Sequence, residues 1–176
     1  KKASKPAKKA AAKKPAKKAA AKKPAAALAP KPAMLIAPYL TFNGNCEEVF
    51  NFYRSVFGGN FTMIMRFKDT PPSEEHPVLE SEANRIMHVS LPIGNGTVAL
   101  MGSDSSAAYG DVKAGDNFAI SINATSKEEA DRVFNGLSEG GKVTMPMGNT
   151  FWGSYFGMWV DKYGINWMMS YDAPRN

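Results

Sequence analysis

The sequence contains a single cysteine, Cys46, among its 176 residues. An internal disulfide is therefore excluded, which argues against a disulfide-stabilised secreted scaffold. The sequence also has no run of about 18 apolar residues, so we expect no membrane-spanning helix. The single cysteine and the missing apolar run together predict a cytoplasmic protein that has no membrane contact. The sequence contains only two histidines, His76 and His88.

Residues 1–33 contain no acidic and no aromatic residue, but they hold 12 lysines. The remainder has 10 Lys plus Arg against 16 Asp plus Glu, so the formal charge of +6 is the sum of a +12 tail and a −6 body. The segment KKAAAKKPA occurs at 8–16 and again at 17–25, and its prolines interrupt any helix before it reaches a stable length. We predict a disordered polycationic tail at 1–33, followed by one domain at 34–176.

A tail of this composition predicts contact with nucleic acid or another polyanion that does not depend on base sequence. It resembles the Lys-Ala-Pro tails of linker histones and bacterial histone-like proteins, which implies a nucleoid association. The alternative is a solubilising extension without a partner. The lysines of the repeated segments are the candidate contacts: Lys8, Lys9, Lys13, Lys14, Lys17, Lys18, Lys22 and Lys23.

The rest of the chain contains an internal repeat. YLTFNGNCEEVFNFYRSVFGG, at 39–59, and NFAISINATSKEEADRVFNGLSEGG, at 117–141, share a short alternating strand, an Asn-containing turn, paired glutamates, an amphipathic helix and a Gly-Gly. Apolar residues recur in both helices at the spacing of one buried face. We infer a duplication.

Each half continues with three further strands. In the first half these are NFTMIMRF and the hairpin of IMHVSLPI with GTVALMGSD; in the second they are KVTMPM and the hairpin of SYFGMWV with INWMMSY. The last strands match without a gap, 96–104 against 164–172. Two β-α-β-β-β units result, at about 34–104 and 116–173, so the predicted class is α+β.

Several segments resemble the PhnB-like family of the vicinal oxygen chelate superfamily, which also contains glyoxalase I, bleomycin-resistance proteins and extradiol dioxygenases. They are FNGNCEE, IMHVSLPI, ALMGSD and FWGSYFG. The resemblance implies a curved mixed sheet made by the tandem units around a central cleft, a small organic ligand and a homodimer.

The same resemblance identifies four positions at which metal-dependent relatives carry His or Glu. They fall on Ala37 or Pro38, near Leu100, near Asn117 and near Met168. None of these residues is an imidazole or a carboxylate, so we expect no metal. Some relatives are described as demethylubiquinone methyltransferases, but no signature of a methionine-derived cofactor is present, and we expect no cofactor.

Three sets of residues are candidates for ligand contact. His88 is expected on the strand face opposite Met87 and Val89, alongside Ser90; the alternative is a structural histidine. The aromatic segment around Gly153 predicts a wall for a planar or apolar ligand, or else core packing or a dimer seam. Leu100 and Met168 are expected to make the cleft apolar and dry. The aromatic candidates are Phe151, Trp152 and Tyr155.

Our leading hypothesis is a metal-independent binding module for a small organic molecule, with the tail as a polyanion tether. The first alternative is an enzyme of glyoxalase or isomerase type with an atypical active site built on His88, Glu80 or Glu82. The second is a scaffold for chromosome compaction in which the cleft has no ligand. Catalytic residues are not assigned.

Overall fold

The computed structural model describes residues 36–71, 73 and 77–174. The tail and His76 lie outside the described residues. No helix in the described part of the chain is long and apolar enough to cross a membrane. The first unit comprises β1 (Tyr39–Phe42), α1 (Cys46–Phe57), β2 (Met63–Arg66), β3 (Ile86–Ile93) and β4 (Val98–Asp104), with short 3₁₀ helices at Phe67–Asp69 and Glu80–Glu82. The second comprises β5 (Ile120–Asn123), α2 (Lys127–Ser138), β6 (Lys142–Asn149), β7 (Tyr155–Val160) and β8 (Asn166–Tyr171).

The two units have the same sheet topology. The strand orders are β1-β4-β3-β2 and β5-β8-β7-β6, and the first strand of each unit runs parallel to the last while the other pairs are antiparallel. The predicted α+β class with two β-α-β-β-β units and mixed sheets is confirmed.

The helices form because each has one apolar face and acidic residues in its first turn. Ser126 caps α2, since its hydroxyl accepts a hydrogen bond from the Glu129 backbone N–H at 3.1 Å. One core contains buried residues of both helices and both sheets. The buried helical residues are Cys46, Val49, Phe50 and Tyr53 in α1, and Ala130, Val133, Phe134 and Leu137 in α2.

Two glycines allow these elements to approach closely. A Cβ atom at Gly102 of β4 would lie 2.6 Å from the Phe50 ring, and one at Gly136 of α2 would lie 2.9 Å from Val56. These separations are below normal van der Waals contact, so helix α1 packs tightly on its own sheet and on α2 because both positions lack a side chain.

Asp104, at the end of β4, is a buried carboxylate bonded to the backbone of its own unit. Its Oδ1 accepts hydrogen bonds from the N–H groups of Gly44 and Cys46, both at 2.9 Å, and its Oδ2 accepts one from Ile86 at 2.8 Å. The β1–α1 turn and the start of β3 are therefore held by one side chain.

Asp161, in the β7–β8 turn, has a corresponding role in the second unit and also reaches the first. It is 3% exposed. Its Oδ1 accepts from the N–H groups of Tyr163 and Ile165 at 2.9 and 3.0 Å. Its Oδ2 accepts from Trp167 Nε1 at 2.8 Å and from the Tyr53 hydroxyl of α1 at 2.7 Å. Burial and the carboxylate raise the pKa of Tyr53, so the hydroxyl stays a donor.

Strand β3 contains a bulge. Met65 pairs with His88 and Arg66 pairs with Ile86, so Met87 is an extra residue on β3. Ile86 and Val89 are both buried, whereas Met87 and His88 between them are partly exposed. The prediction that His88 faces away from Met87 is therefore wrong, because the bulge places both on the exposed side.

We predict that Asp161→Asn destabilises the protein by about 2–4 kcal/mol. The substituted amide keeps the shape but presents N–H groups to buried donors, which leaves some of them unsatisfied. Urea unfolding followed by circular dichroism measures the loss. Asp111→Asn, at an exposed position, is the control and should change stability by less than about 0.5 kcal/mol. Equal effects of the two substitutions would contradict the role of Asp161.

We also predict that the Cys46 thiol of the native protein does not react with iodoacetamide at pH 8. It is fully buried, and its pKa is raised by burial and by the negative charges of Asp104 and Glu47, so little thiolate forms. Mass spectrometry should show labelling only after unfolding in urea. Rapid labelling of the folded protein would show that the thiol is accessible.

Candidate functional site

Each sheet has one face covered by the helices and one open face. In β1 the alternation is complete, because Leu40 and Phe42 are buried while Tyr39 and Thr41 are exposed. Residues paired across strands share a face, so the pairings extend this assignment to the other strands. The open face of the first sheet carries Tyr39, Met63, Met65, His88, Ser90 and Met101, and the bulge adds Met87 to it.

His88 and Ser90 lie together on this open face, as predicted from their alternation. The Tyr39 hydroxyl is 3.4 Å from His88 Nδ1, and the two rings are 5.8 Å apart. The Thr62 hydroxyl donates to the Ser90 hydroxyl oxygen at 3.2 Å. His88 is thus positioned by a neighbour from β1 that the sequence did not indicate.

Met168 and Leu100 lie on different faces. Met168 pairs with Met158 and with Ser121 on the open face of the second sheet. Leu100 is 2% exposed and lies in the core. The expectation that these two residues line one cleft together is wrong. The reason is the length of the hairpin turns: residues 94–97 separate Ile93 from Val98, whereas the five residues 161–165 separate Val160 from Asn166. Because the second turn is one residue longer, β8 is shifted by one position relative to its sequence match with β4. A shift of one position puts matched residues on opposite faces of their sheets.

The three aromatic candidates do not form one surface either. Phe151 is 98% exposed and Trp152 50% exposed, and their rings meet edge to face at 4.8 Å. Trp152 also contacts Phe156, at 5.8 Å between ring centroids. Tyr155 points instead to α2, where its hydroxyl donates to Asp131 at 2.7 Å and Lys127 Nζ lies 4.5 Å from the ring centroid.

The hydrogen bond to Asp131, more than burial or charge, raises the pKa of Tyr155. The expectation that Tyr155 forms an aromatic wall with Trp152 is wrong, because Tyr155 packs on the helix side of β7.

A groove with a volume of about 600 Å³ lies where the first unit meets β5. We call it the edge groove, because β5 has one unpaired edge in the sheet order. Of the residues predicted to contact a ligand, Leu100 alone lines the edge groove. The lining is Ile36, Ala37, Pro38, Phe57, Ile93, Asn95, Val98, Leu100, Phe118, Ala119, Ile120, Ser121, Ile122, Asn123 and Trp167.

The sequence contained one signal for this groove. Of the four positions taken from metal-dependent relatives, Ala37, Pro38 and Leu100 line it, and Asn117 and Met168 adjoin the lining residues Phe118 and Trp167. The β5 residues were not predicted as ligand contacts. No group of three or more His, Cys, Asp or Glu side chains that could hold a metal ion is found among the described residues.

The chain is similar to several known proteins over nearly all of the domain. A family model described as 3-demethylubiquinone-9 3-methyltransferase matches residues 34–170. Protein YjdN of Escherichia coli (strain K12) is 29% identical over 140 residues, which cover 78% of this chain and 95% of YjdN.

Solved structures agree with this match. Protein PA1353 from Pseudomonas aeruginosa is 40% identical, with a TM-score of 0.67 over 80% of this chain and 98% of that one. The PhnB protein from Bacillus cereus is 26% identical, with a TM-score of 0.60 over 78% and 99%. The fosfomycin resistance protein FosX from Listeria monocytogenes, at 8% identity, shares the fold alone, with a TM-score of 0.54 over 81% and 95%. The chain therefore belongs to the family that the matching model describes, the PhnB-like proteins, and has the fold of the vicinal oxygen chelate superfamily.

Proposed function

We propose that this protein binds a small, largely apolar organic molecule in the edge groove, without a metal ion to hold it. The observation that supports this is the composition of the groove, in which no charged side chain is present among the described lining residues. Ile36, Val98 and Phe118 are exposed at its surface. Exposed apolar side chains grouped around a concavity are typical of ligand sites.

Three polar side chains of the groove can orient such a ligand. Asn95 and Asn123 use their side-chain oxygens within the protein, accepting from the Thr97 N–H at 3.1 Å and from the Ser170 hydroxyl at 2.6 Å. Their amide nitrogens, and the hydroxyl of Ser121, have no protein partner in the described part of the chain. A ligand with one or two hydrogen-bond acceptors would fit these donors.

The description of the family implies methyl transfer from an adenosyl cofactor, which the groove does not fit. A ribose is usually held by a carboxylate, and a sulfonium is stabilised by negative charge. The described lining of the groove offers neither. The Tyr39–His88 pair, the acid–base group on which an enzyme of isomerase type would depend, lies outside the groove lining. We therefore favour binding over either reaction.

We further propose that the lysine tail contacts nucleic acid or another polyanion. The support is the charge distribution, with 12 lysines and no acid in residues 1–33 beside a body of charge −6. The body alone would repel a polyanion, so this contact depends on the tail. Dimer formation and cytoplasmic location stay predictions.

We predict that Ala37→Trp or Ala119→Trp lowers the affinity for the neutral apolar dye phenylnaphthylamine by about tenfold or more. Both alanines line the groove and are partly exposed, so an indole there occupies the ligand volume without entering the core. Dye fluorescence at increasing protein concentration measures the dissociation constant.

Ala173→Trp, at an exposed position outside the groove, is the matched control and should leave dye binding unchanged. Equal dye affinity in the Ala119→Trp and Ala173→Trp proteins would place the dye elsewhere and contradict the proposed site.

We predict that duplex DNA binding falls steeply as salt rises from about 50 to 200 mM, with a log–log slope of about −0.9 per phosphate neutralised. Replacing Lys8, Lys9, Lys17 and Lys18 by Gln should reduce the slope by about 3–4. Replacing the same four by Arg preserves the charge and should preserve the slope. Fluorescence anisotropy of labelled DNA measures both, and equal slopes for the Gln and Arg variants would exclude the tail as the contact.

A further inference from the structure

The open face of the first sheet carries an unusual set of side chains, which the proposed organic ligand does not use. Met65 pairs directly with His88, Met63 pairs with Ser90, and Ser90 pairs in turn with Met101. These residues therefore lie on the same side of three neighbouring strands. Three methionine side chains therefore share with one imidazole a face that the helices leave open.

The spacing of a sheet brings these groups within reach of a common ion. Directly opposed residues have Cβ atoms about 4.5–5.5 Å apart, which applies to Met65 and His88. Met101 occupies a diagonal position relative to His88, where long side chains still meet. Methionine has three rotatable bonds, so its sulfur can turn toward a shared point.

The surroundings of His88 favour metal binding through its other ring nitrogen. Its Nδ1 faces the Tyr39 hydroxyl at 3.4 Å, which leaves Nε2 as the nitrogen that can coordinate a metal ion. A hydrogen bond at the distant ring nitrogen is the usual support of a metal-binding histidine. Met63 is 47% exposed, and Met65, Met101 and His88 are partly exposed, so an ion can enter without opening the core.

From this juxtaposition we propose that the open face of the first sheet binds one soft monovalent cation of the Cu(I) class. Met65 Sδ, Met101 Sδ and His88 Nε2 are the ligands, and Met63 Sδ is a further one. Thioether and imidazole donors select Cu(I) over the hard cations that prefer carboxylates. The site is separate from the edge groove, and neither proposal depends on the other.

The chain offers two internal controls for this proposal. The open face of the second sheet carries a comparable row, Met145, Met158 and Met168, without a histidine. Cys46 is a stronger soft ligand in principle, but it is fully buried in the core.

The test is calorimetric titration of the full chain with Ag⁺, a redox-inert probe for Cu(I), in chloride-free buffer. About one Ag⁺ should bind per chain. The double variant Met65→Leu/Met101→Leu should lower the affinity for Ag⁺ by about 100-fold, and the single variant His88→Gln should lower it by about tenfold or more. Met158→Leu with Met168→Leu, and separately Cys46→Ala, should stay within about twofold of the wild type. Leucine replaces methionine at nearly constant volume, so these variants should fold.

A second measurement requires no variant to fold. In the wild-type protein labelled at the methionine methyl groups, Ag⁺ should shift the NMR signals of Met63, Met65 and Met101 and leave those of Met158 and Met168 in place. The proposal would be overturned if silver binding survived the double variant Met65→Leu/Met101→Leu or disappeared with Cys46→Ala. It would also be overturned if Ag⁺ shifted the NMR signals of both methionine rows equally. Competition with a chromophoric Cu(I) chelator should give the same order of variants.

Discussion

The buried carboxylate of Asp161 is the interaction on which the arrangement of the two units depends. Its Oδ2 joins the Tyr53 hydroxyl of α1 to the Trp167 indole of β8, and its Oδ1 fixes the β7–β8 turn. A buried charge of this kind is tolerated only when every lone pair is satisfied. The position of α1 relative to the second sheet is therefore fixed by the same donors that satisfy this charge. Asp104 accepts three backbone hydrogen bonds, all within the first unit.

Much of the fold could be predicted from the sequence, because its signals are local. Helix periodicity, strand alternation and the repeat of both predict two units of one type, and the structure has them. What local patterns could not supply is strand register. One additional residue in the 161–165 turn and the bulge at Met87 each shift the alternation by one position, and in a sheet this exchanges the buried and exposed faces. The strands were correctly predicted, but the face on which a side chain lies was predicted wrongly for Leu100, Tyr155 and Met87.

The candidate site was less predictable for a different reason. The edge groove combines residues 36–38 with residues 118–123, which are about 80 positions apart in the sequence and belong to different units. Nothing in either segment alone indicates a cavity, since exposed apolar residues near an unpaired strand edge resemble ordinary strand ends. The resemblance to metal-dependent relatives led to Ala37, Pro38 and Leu100, so family position located the region although the metal chemistry itself is not supported by these side chains.

The duplication explains why the groove and the open faces can have separate chemistry. A groove between two units is created by their packing, so it requires complementary shape from both copies and constrains residues such as Leu100 and Ile120 in each. The open faces contribute little to the core, so they can diverge without loss of the fold. The two faces have done so: the first has His88 beside methionines and Tyr39, and the second has methionines without an imidazole. A difference between two copies of one unit, at positions that folding leaves free, is where a function acquired after duplication is expected to lie.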